Sequence, residues 1–428
     1  MTISAPHDTA VKTRGSQPRD QPRDQPQSRA GRIAAVSALV IGVGLLVWQC
    51  AWVLGYARDS YLLDLGVFRD TGQAIVDGGG LYGDDLDSRT GFPFIYPPLA
   101  AALFVPLTWF NDQTMEMLWT LASVVASWAV LAMAAHRLRL RWAPLVALPM
   151  LGLALCMEPL RANMEFGQIN VFLVLLVTAD VLGFTPRRLR GVGVGLAAGI
   201  KITPAAFALV FLVTRRWGDL ARSAGTFLVT AALGWLMRPG EAVFFWTSEF
   251  FDDERAGPPS FEANQAATGL LTRAGVDGDL AQTVMLPVLL VVAVAAGWAS
   301  RRLLRAGRPV TTLLLLVLAV SVAAPYAVTH HWSGVIVAVA LLASQLLGGA
   351  RDWPTTTAAA LLVVANVFLH YRIADWGWVQ DAVGQPWILA NAQGVAGIVA
   401  LLLLLLAAWR AVPEESVAQA TELEDAVR

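Results

Sequence analysis

Charge is scarce in this sequence. Asp, Glu, Lys and Arg make up 15% of its 428 residues, where an ordinary soluble domain has about a quarter, while hydrophobic residues reach 56% and mean hydropathy is +0.56. So little charge excludes a soluble globular protein and makes the chain an integral membrane protein. The net charge of −1 leaves no electrostatic case for binding nucleic acid. Cysteine is nearly missing: Cys50 and Cys156 both lie within apolar runs, where small core residues are the natural reading rather than a disulfide or metal site. Histidine occurs five times and shows no His/Cys spacing of the usual zinc kinds. No G-x-G-x-x-G or Walker pattern sits in a strand-turn-helix setting, so a nucleotide-binding fold is not expected. A cleavable secretory leader is not expected either. A polar stretch rich in Arg, Gln and Pro, including QPRDQPRDQPQ, precedes a first apolar run that is too long for a signal core. That tail, residues 1–32, is expected to be disordered and cytosolic.

What is present is a series of apolar runs. Those at 33–55, 115–135, 220–237, 283–299, 310–328, 354–369 and 388–409 approach or exceed the ~20 residues that span a bilayer. Shorter ones lie at 95–110, 143–157, 169–184, 191–213 and 332–347. The expected fold class is an all-α polytopic membrane protein with about 10–12 transmembrane helices, its membrane domain at 33–410 and a cytoplasmic tail at 411–428.

Lys and Arg collect in cytoplasmic loops. The basic clusters at 136–142, 186–190, 215–222 and 301–308, with the N-terminal tail and Arg351, are therefore assigned inside. The segments 56–94, 158–168, 238–282, 326–331 and 370–387 go outside, and both termini are cytoplasmic. Two places resist simple spans. Between 94 and 136 two apolar runs stand where an odd number of crossings is required, so one is re-entrant or the basic loop misreports. Between 190 and 215 both ends are assigned inside, and GIKITP breaks the run. Such a break at membrane depth is tolerated only beside protein or a water-filled cavity.

The polar residues within this apolar chain are the candidate site. Lys201, in the centre of the broken run, costs a few kcal/mol in a bilayer without a partner or a purpose. Snorkelling or an ion pair with Glu165 would be the plain structural explanation. A helix beginning near Pro204 would add its positive pole to the ammonium and suit a phosphate. The segment MEPLRANMEFGQIN offers Glu165, Gln168 and Asn170 just before a span, where capping and helix contacts explain them equally well. His330 and His331 precede Trp332 at an outer helix end, and hydrogen bonding to a phosphate or sugar hydroxyl is preferred over zinc. SFEANQAATGLLTR adds Asn264 and Arg273. Tyr96, beside Pro97 and Pro98, opens a span and faces either the helix start or a ligand.

After Asp64, the apolar residues Leu65, Phe68, Ile75 and Val76 share one helical face and Arg69, Asp70, Gln73 and Asp77 the other. This predicts an amphipathic juxtamembrane helix on the outer face, ended by the GGG at 78–80. Asp64 is then either its N-cap or a general base, and the residues alone leave both open.

Taken in order, DLGVFRDTGQAIVDGGGLY, FPFIYPPLAAALFVPL, FGQIN, GIKITPAAFALVFLVTRRW, NQAATGLLTR and APYAVTHHW resemble the landmarks of glycosyltransferase family 87 over about residues 60–345. The resemblance implies the GT-C glycosyltransferase architecture and a polyprenyl-phosphate sugar donor used on the extracytoplasmic side of the plasma membrane. It further implies an inverting α-mannosyltransferase of the phosphatidylinositol mannoside or lipomannan type, with an α-1,2 linkage expected. By the same resemblance Asp64 is the general base, with Asp59 and Asp70 as weaker candidates. Lys201, His330, His331 and Arg273 hold the donor phosphate, while Arg69, Tyr96, Glu165, Gln168, Asn170 and Asn264 bind substrate. Val328, Thr329 and Ala266 depart from the family's pattern, which puts acceptor contacts in question. No cofactor or metal is expected, since the departing group carries a single phosphate that protein cations can hold. Partners are membrane lipid, the lipid-linked donor and a glycolipid acceptor; the oligomeric state is open. An arabinofuranosyltransferase is the alternative within the family. A transporter or lipid flippase is the alternative outside it, although GIKITP has no second copy of the kind paired repeats show.

Overall fold

The computed structural model describes residues 29–251, 257–347, 352–370, 372 and 387–412. The polar tail at 1–28, the C-terminal residues 413–428, Arg351 and most of the expected outer segment 370–387 lie outside the described residues. Apart from one antiparallel bridge between Asn264 and Val328, the regular structure described is helical.

In chain order the helices are α1 (Arg29–Asp59), α2 (Leu63–Asp77), α3 (Pro98–Phe104), α4 (Asp112–Arg137), α5 (Ala143–Leu155), α6 (Glu158–Phe166), α7 (Asn170–Val181), α8 (Val192–Ile200), α9 (Leu209–Val213), α10 (Trp217–Met237), α11 (Pro239–Thr247), α12 (Ala267–Arg273), α13 (Gly278–Arg305), α14 (Pro309–Ala323), α15 (Val337–Leu347) and α16 (Trp353–Phe368), followed by a C-terminal helix Ala392–Arg410. Six are long and apolar enough to cross a bilayer: α1 from Val36, α4, α10, α13, the run Thr329–Leu347 and the C-terminal helix. α5 and α6 make a pair bent by 81°, and five shorter apolar helices complete the set. The upper end of the expected span count is reached only by including every broken and short segment. This is the all-α, polytopic, partly broken architecture that the hydropathy pattern leads one to expect.

The loops sort into two ends. Arg137 donates to the Gly183 carbonyl at 3.1 Å, Arg222 to that of Arg190 at 2.8 Å, and Arg302 to those of Ala408 and Ala411 at 2.9 and 3.0 Å. Arg308 pairs with Asp352 at 2.8 Å, and one cavity is lined jointly by Arg137, Arg308 and Arg410. The basic loops assigned to one side from charge alone thus meet at one end of the bundle.

Both parity problems resolve. Asp112, at the start of α4, faces Arg69 of α2 at 3.4 Å, and Arg89 bridges Asp112 and Asp70 at 2.9 and 2.7 Å. The segment Pro98–Trp109 therefore begins and ends at the far end from the basic loops, and its twelve residues reach about 18 Å, too short for a bilayer. α4 alone makes the crossing. In the second case Arg222 and Asp219 of α10 hold the loop at Arg190 and Gly191, so α8 enters from the basic end and α9 returns to it. α8 runs close to α10 because it is small-faced: a Cβ on Gly199 would lie 2.0 Å from Thr230 Oγ1. Its first N–H groups are satisfied by buried Asp180, which accepts from Gly191 and Val194 at 3.0 and 2.9 Å.

α2 ends at Gly78, in the left-handed conformation with φ +77°. Its apolar face is as expected at Leu65 and Phe68, which are buried; Val76 is 57% exposed, however, and Asp70 is buried at 7%. The Arg89 pair accounts for that carboxylate, because a buried charge needs a partner.

Candidate functional site

Asp64 lies in the first turn of α2 at the end opposite the basic loops. The N-cap of this helix is Leu62, no side-chain cap bond forms there, and the cap role that the sequence allows for Asp64 is thereby corrected. The helix starts two residues earlier than a cap at Asp64 would need. Its entry is fixed instead by Glu116 of α4, whose Oε1 accepts the Leu62 N–H at 3.0 Å. The sequence reading gives Glu116 no role; its signal was a carboxylate inside an apolar span.

With the cap satisfied elsewhere, the Asp64 carboxylate turns toward the loop between α6 and α7. Gln168 Nε2 donates to Asp64 Oδ2 at 2.7 Å. Gly167 makes this approach possible, since φ is +69° there and a Cβ would fall 2.6 Å from the Leu65 side chain. The donation settles the orientation of the Gln168 amide. Its Oε1 then accepts from the Tyr96 hydroxyl, the Ile169 N–H and Asn170 Nδ2, each at 3.3 Å. Asn163, itself fully buried, donates to the Gln168 backbone carbonyl at 3.0 Å and holds the loop.

Lys201 arrives from the break after α8, where the chain extends with φ −145° and ψ 127°. Its ammonium donates to Asn170 Oδ1 at 3.0 Å and lies 5.4 Å from the centre of the Tyr96 ring. The carboxyl pole of α8 favours a cation at this point. The helical N-terminus expected near Pro204 is a six-residue 3-10 turn, Thr203–Ala208, so no α-helical positive pole adds to the ammonium. Nor does Glu165 provide the pairing that sequence alone suggested, as its carboxylate binds Arg161 and Arg372 at 3.0 and 2.6 Å.

The histidine pair stands in the 3-10 stretch Thr329–Ile336. The two rings are 4.8 Å apart at 77°, and His330 meets the Phe166 ring edge-on at 5.8 Å. A cavity of about 60 Å³ is lined by Asn170, Thr203, Pro204 and His331 together with apolar side chains. The charge of Lys201 acts on Asp64, His330 and His331 alike. Five segments remote in sequence therefore converge: the start of α2, the elbow before α3, the α6–α7 loop, the α8 break and the histidine turn.

Burial pushes the Asp64 carboxyl up to about 6, against the opposing pull of the Gln168 hydrogen bond and the Lys201 charge. Ionising it costs about 3 kcal/mol more than for an ordinary aspartate, a stored disadvantage that makes it a competent proton acceptor near neutrality. Tyr96, buried beside Asp64, is pushed upward and remains a neutral donor.

The remaining candidates are engaged elsewhere. Arg273 donates to the carbonyls of Phe261 and Asn264 at 2.6 and 2.7 Å and twice to Asn391 Oδ1. Asn264 accepts the N–H of Ala327 and donates to the Pro259 carbonyl. These two residues clamp the outer loop to the strand-like segment before the histidines. Arg69 pairs with Asp112 on α4. Among the described residues no group of three or more His, Cys, Asp or Glu is gathered as a metal site would require.

Comparison with known proteins adds the following. The sequence model of glycosyltransferase family 87 matches residues 94–327. A protein of Mycobacterium tuberculosis named polyprenol-phosphate-mannose-dependent alpha-(1-2)-phosphatidylinositol mannoside mannosyltransferase is 32% identical over 80% of this chain and 83% of its own length. One of Mycolicibacterium smegmatis, named polyprenol-phosphate-mannose-dependent alpha-(1-2)-phosphatidylinositol pentamannoside mannosyltransferase, is 30% identical over 85% of each. A crystal structure of ArnT from Cupriavidus metallidurans aligns with 88% of this chain and 78% of its own at 18% identity and a TM-score of 0.38, too distant a likeness to carry an argument.

Proposed function

The chain belongs to glycosyltransferase family 87, and from that premise we propose that it transfers mannose from a polyprenyl-phosphate donor to a mannosylated phosphatidylinositol-type glycolipid. The observation that carries this reading is the relay Lys201–Asn170–Gln168–Asp64, which sets one cation and one basic carboxylate beside the histidine pair. A glycosyl transfer from a lipid phosphate needs those two functions: an anion holder for the departing phosphate and a base for the incoming hydroxyl.

Asp64 accepts the proton of the acceptor hydroxyl as its oxygen attacks the anomeric carbon from the face opposite the phosphate. The C1–O bond to phosphate breaks, the pair of electrons leaves with the polyprenyl phosphate, and configuration inverts to give the α link. Lys201 balances the negative charge that grows on the leaving oxygen, and His330 and His331 donate hydrogen bonds to the same phosphate. A protein ammonium in a water-poor site is effective because the charge it meets develops in the transition state. The single phosphate of the donor can be held without a divalent ion, and undiminished turnover in EDTA is the expected outcome.

The site lies at the end opposite the basic loops. Because basic loops stay in the cytosol, the chemistry is assigned to the extracytoplasmic face, with both ends of the membrane domain inside. The test is transfer of labelled mannose from polyprenyl-phosphomannose to a phosphatidylinositol mannoside by the purified full-length chain in lipid vesicles. Transfer with the mannose donor and none with polyprenyl-phosphoarabinose is the expected result. The reverse preference would assign the chain to the arabinose branch.

A further inference from the structure

A cavity of about 460 Å³ lies far from this site, at the basic end of the bundle. The ends of α4, α15 and the C-terminal helix and the beginnings of α14 and α16 surround it. Arg137, Arg308 and Arg410 line it, with Asp352 as the one acid and Thr311 and Thr355 as hydroxyls. Nothing in the transfer chemistry uses it. A surplus of arginine on cytoplasmic loops is ordinary for a membrane protein and explains the charge. It does not explain why three guanidiniums from three separate helix ends share one hollow.

We propose that this cavity binds a phosphate group, and specifically the headgroup phosphate of an anionic lipid from the leaflet on that side. Each arginine makes a contact that leaves donors over. Arg308 gives one N–H to Asp352 at 2.8 Å, Arg137 gives one to the Gly183 carbonyl at 3.1 Å and rests on Phe184, and Arg410 lies over the Trp353 ring at 5.9 Å. A guanidinium carries five N–H donors in a fork suited to phosphate oxygens. The amino ends of α14 and α16 add their positive poles at the same place. Basic hollows between transmembrane helices at the cytoplasmic surface are where anionic headgroups lodge. Trp353, half-exposed beside Arg410, is of the residue type that anchors at that interface.

The test is native mass spectrometry of the full-length protein in detergent, titrated separately with phosphatidylglycerol, phosphatidylcholine and inorganic phosphate. The expected result is a retained phosphatidylglycerol adduct, no matching phosphatidylcholine adduct, and retention weakened about fivefold by either Arg137→Gln or Arg410→Gln. Arg410→Lys should keep most of the binding, and Arg301→Gln, a change at the same end but outside the hollow, should leave it unchanged. Inorganic phosphate that binds and is lost with the same two variants would uphold the phosphate site and assign it to a soluble source. Equal retention of both lipids with no phosphate binding, or equal weakening by Arg301→Gln, would overturn the proposal. Because the measurement involves no sugar transfer, its failure is separate from any failure of the glycosyltransferase reading.

Discussion

Gln168 and Asp64 are 104 positions apart in the chain and 2.7 Å apart in the fold. The same amide that donates to the carboxylate accepts from Tyr96 and Asn170, so Asp64 is tied by one side chain both to the aromatic elbow and to the partner of Lys201. The proposed chemistry rests on this junction, and its consequences can be measured.

The first consequence is pH dependence. Burial holds Asp64 at about 6, above its ordinary value, and a general base works only when deprotonated. The kcat/KM of transfer should therefore rise with pH and level off above a midpoint near 6, whereas an unperturbed aspartate would place that limb near 4. The linked stability runs the other way. Folding favours the protonated form, so the contribution is fully present below about pH 4 and is lost as pH rises through 6. A pH–rate profile between 4.5 and 8.5 checks the sign.

Gln168→Leu removes the hydrogen bond that lowers the Asp64 pKa. Hydrogen bonds to charged groups contribute about 1.5–3 kcal/mol. The low-pH limb should accordingly shift upward by about one to two pH units, with turnover at pH 7 down about 2- to 10-fold. A purely structural role for Gln168 would lower activity without moving the midpoint.

Lys201→Met keeps the length of the side chain and discards its charge. The loss should fall on the transition state, lowering kcat/KM by about 10- to 100-fold, since a charge-assisted contact to phosphate is involved. Lys201→Arg should retain part of the activity. Initial rates against donor concentration distinguish the variants, and the melting temperature of Lys201→Met should be close to that of the parent.

Glu158 is fully buried and faces Arg372 at 2.8 Å. Arg372→Ala would leave that carboxylate without its cation and should destabilise the protein by about 3–5 kcal/mol. Adding Glu158→Gln should restore a good part of the loss, because the stranded charge is then gone. Thermal unfolding of the two single variants and the double variant measures the coupling.

The sequence disclosed the residues that a bilayer penalises. Lys201 and the GIKITP break stand out in an apolar run because lipid offers neither water nor hydrogen-bond partners. The GGG after Asp77 announced the end of α2 because left-handed backbone at Gly78 suits glycine. What depended on tertiary neighbours stayed hidden. Asp64 could not be told from a cap until Glu116, on another helix, was seen to hold the Leu62 N–H. Asp70 looked like a solvent-facing residue until Arg89 folded over it. Arg273 carried the right charge for a phosphate, yet its donors go to backbone carbonyls and Asn391, which no spacing rule foretells. Charge counting grouped the described basic loops correctly, because those at 136–142, 186–190, 215–222 and 301–308 meet at one end. It could not tell which of two apolar runs turned back before α4, since the answer lies in the Asp112 pairs with Arg69 and Arg89.

The account is tested most directly by mannose transfer from polyprenyl-phosphomannose with purified Asp64→Asn. Asparagine can still accept the Gln168 hydrogen bond, so the fold and melting temperature should be preserved while turnover falls by about 10²- to 10⁴-fold. A folded Asp64→Asn protein that transfers mannose at the parent rate would contradict it.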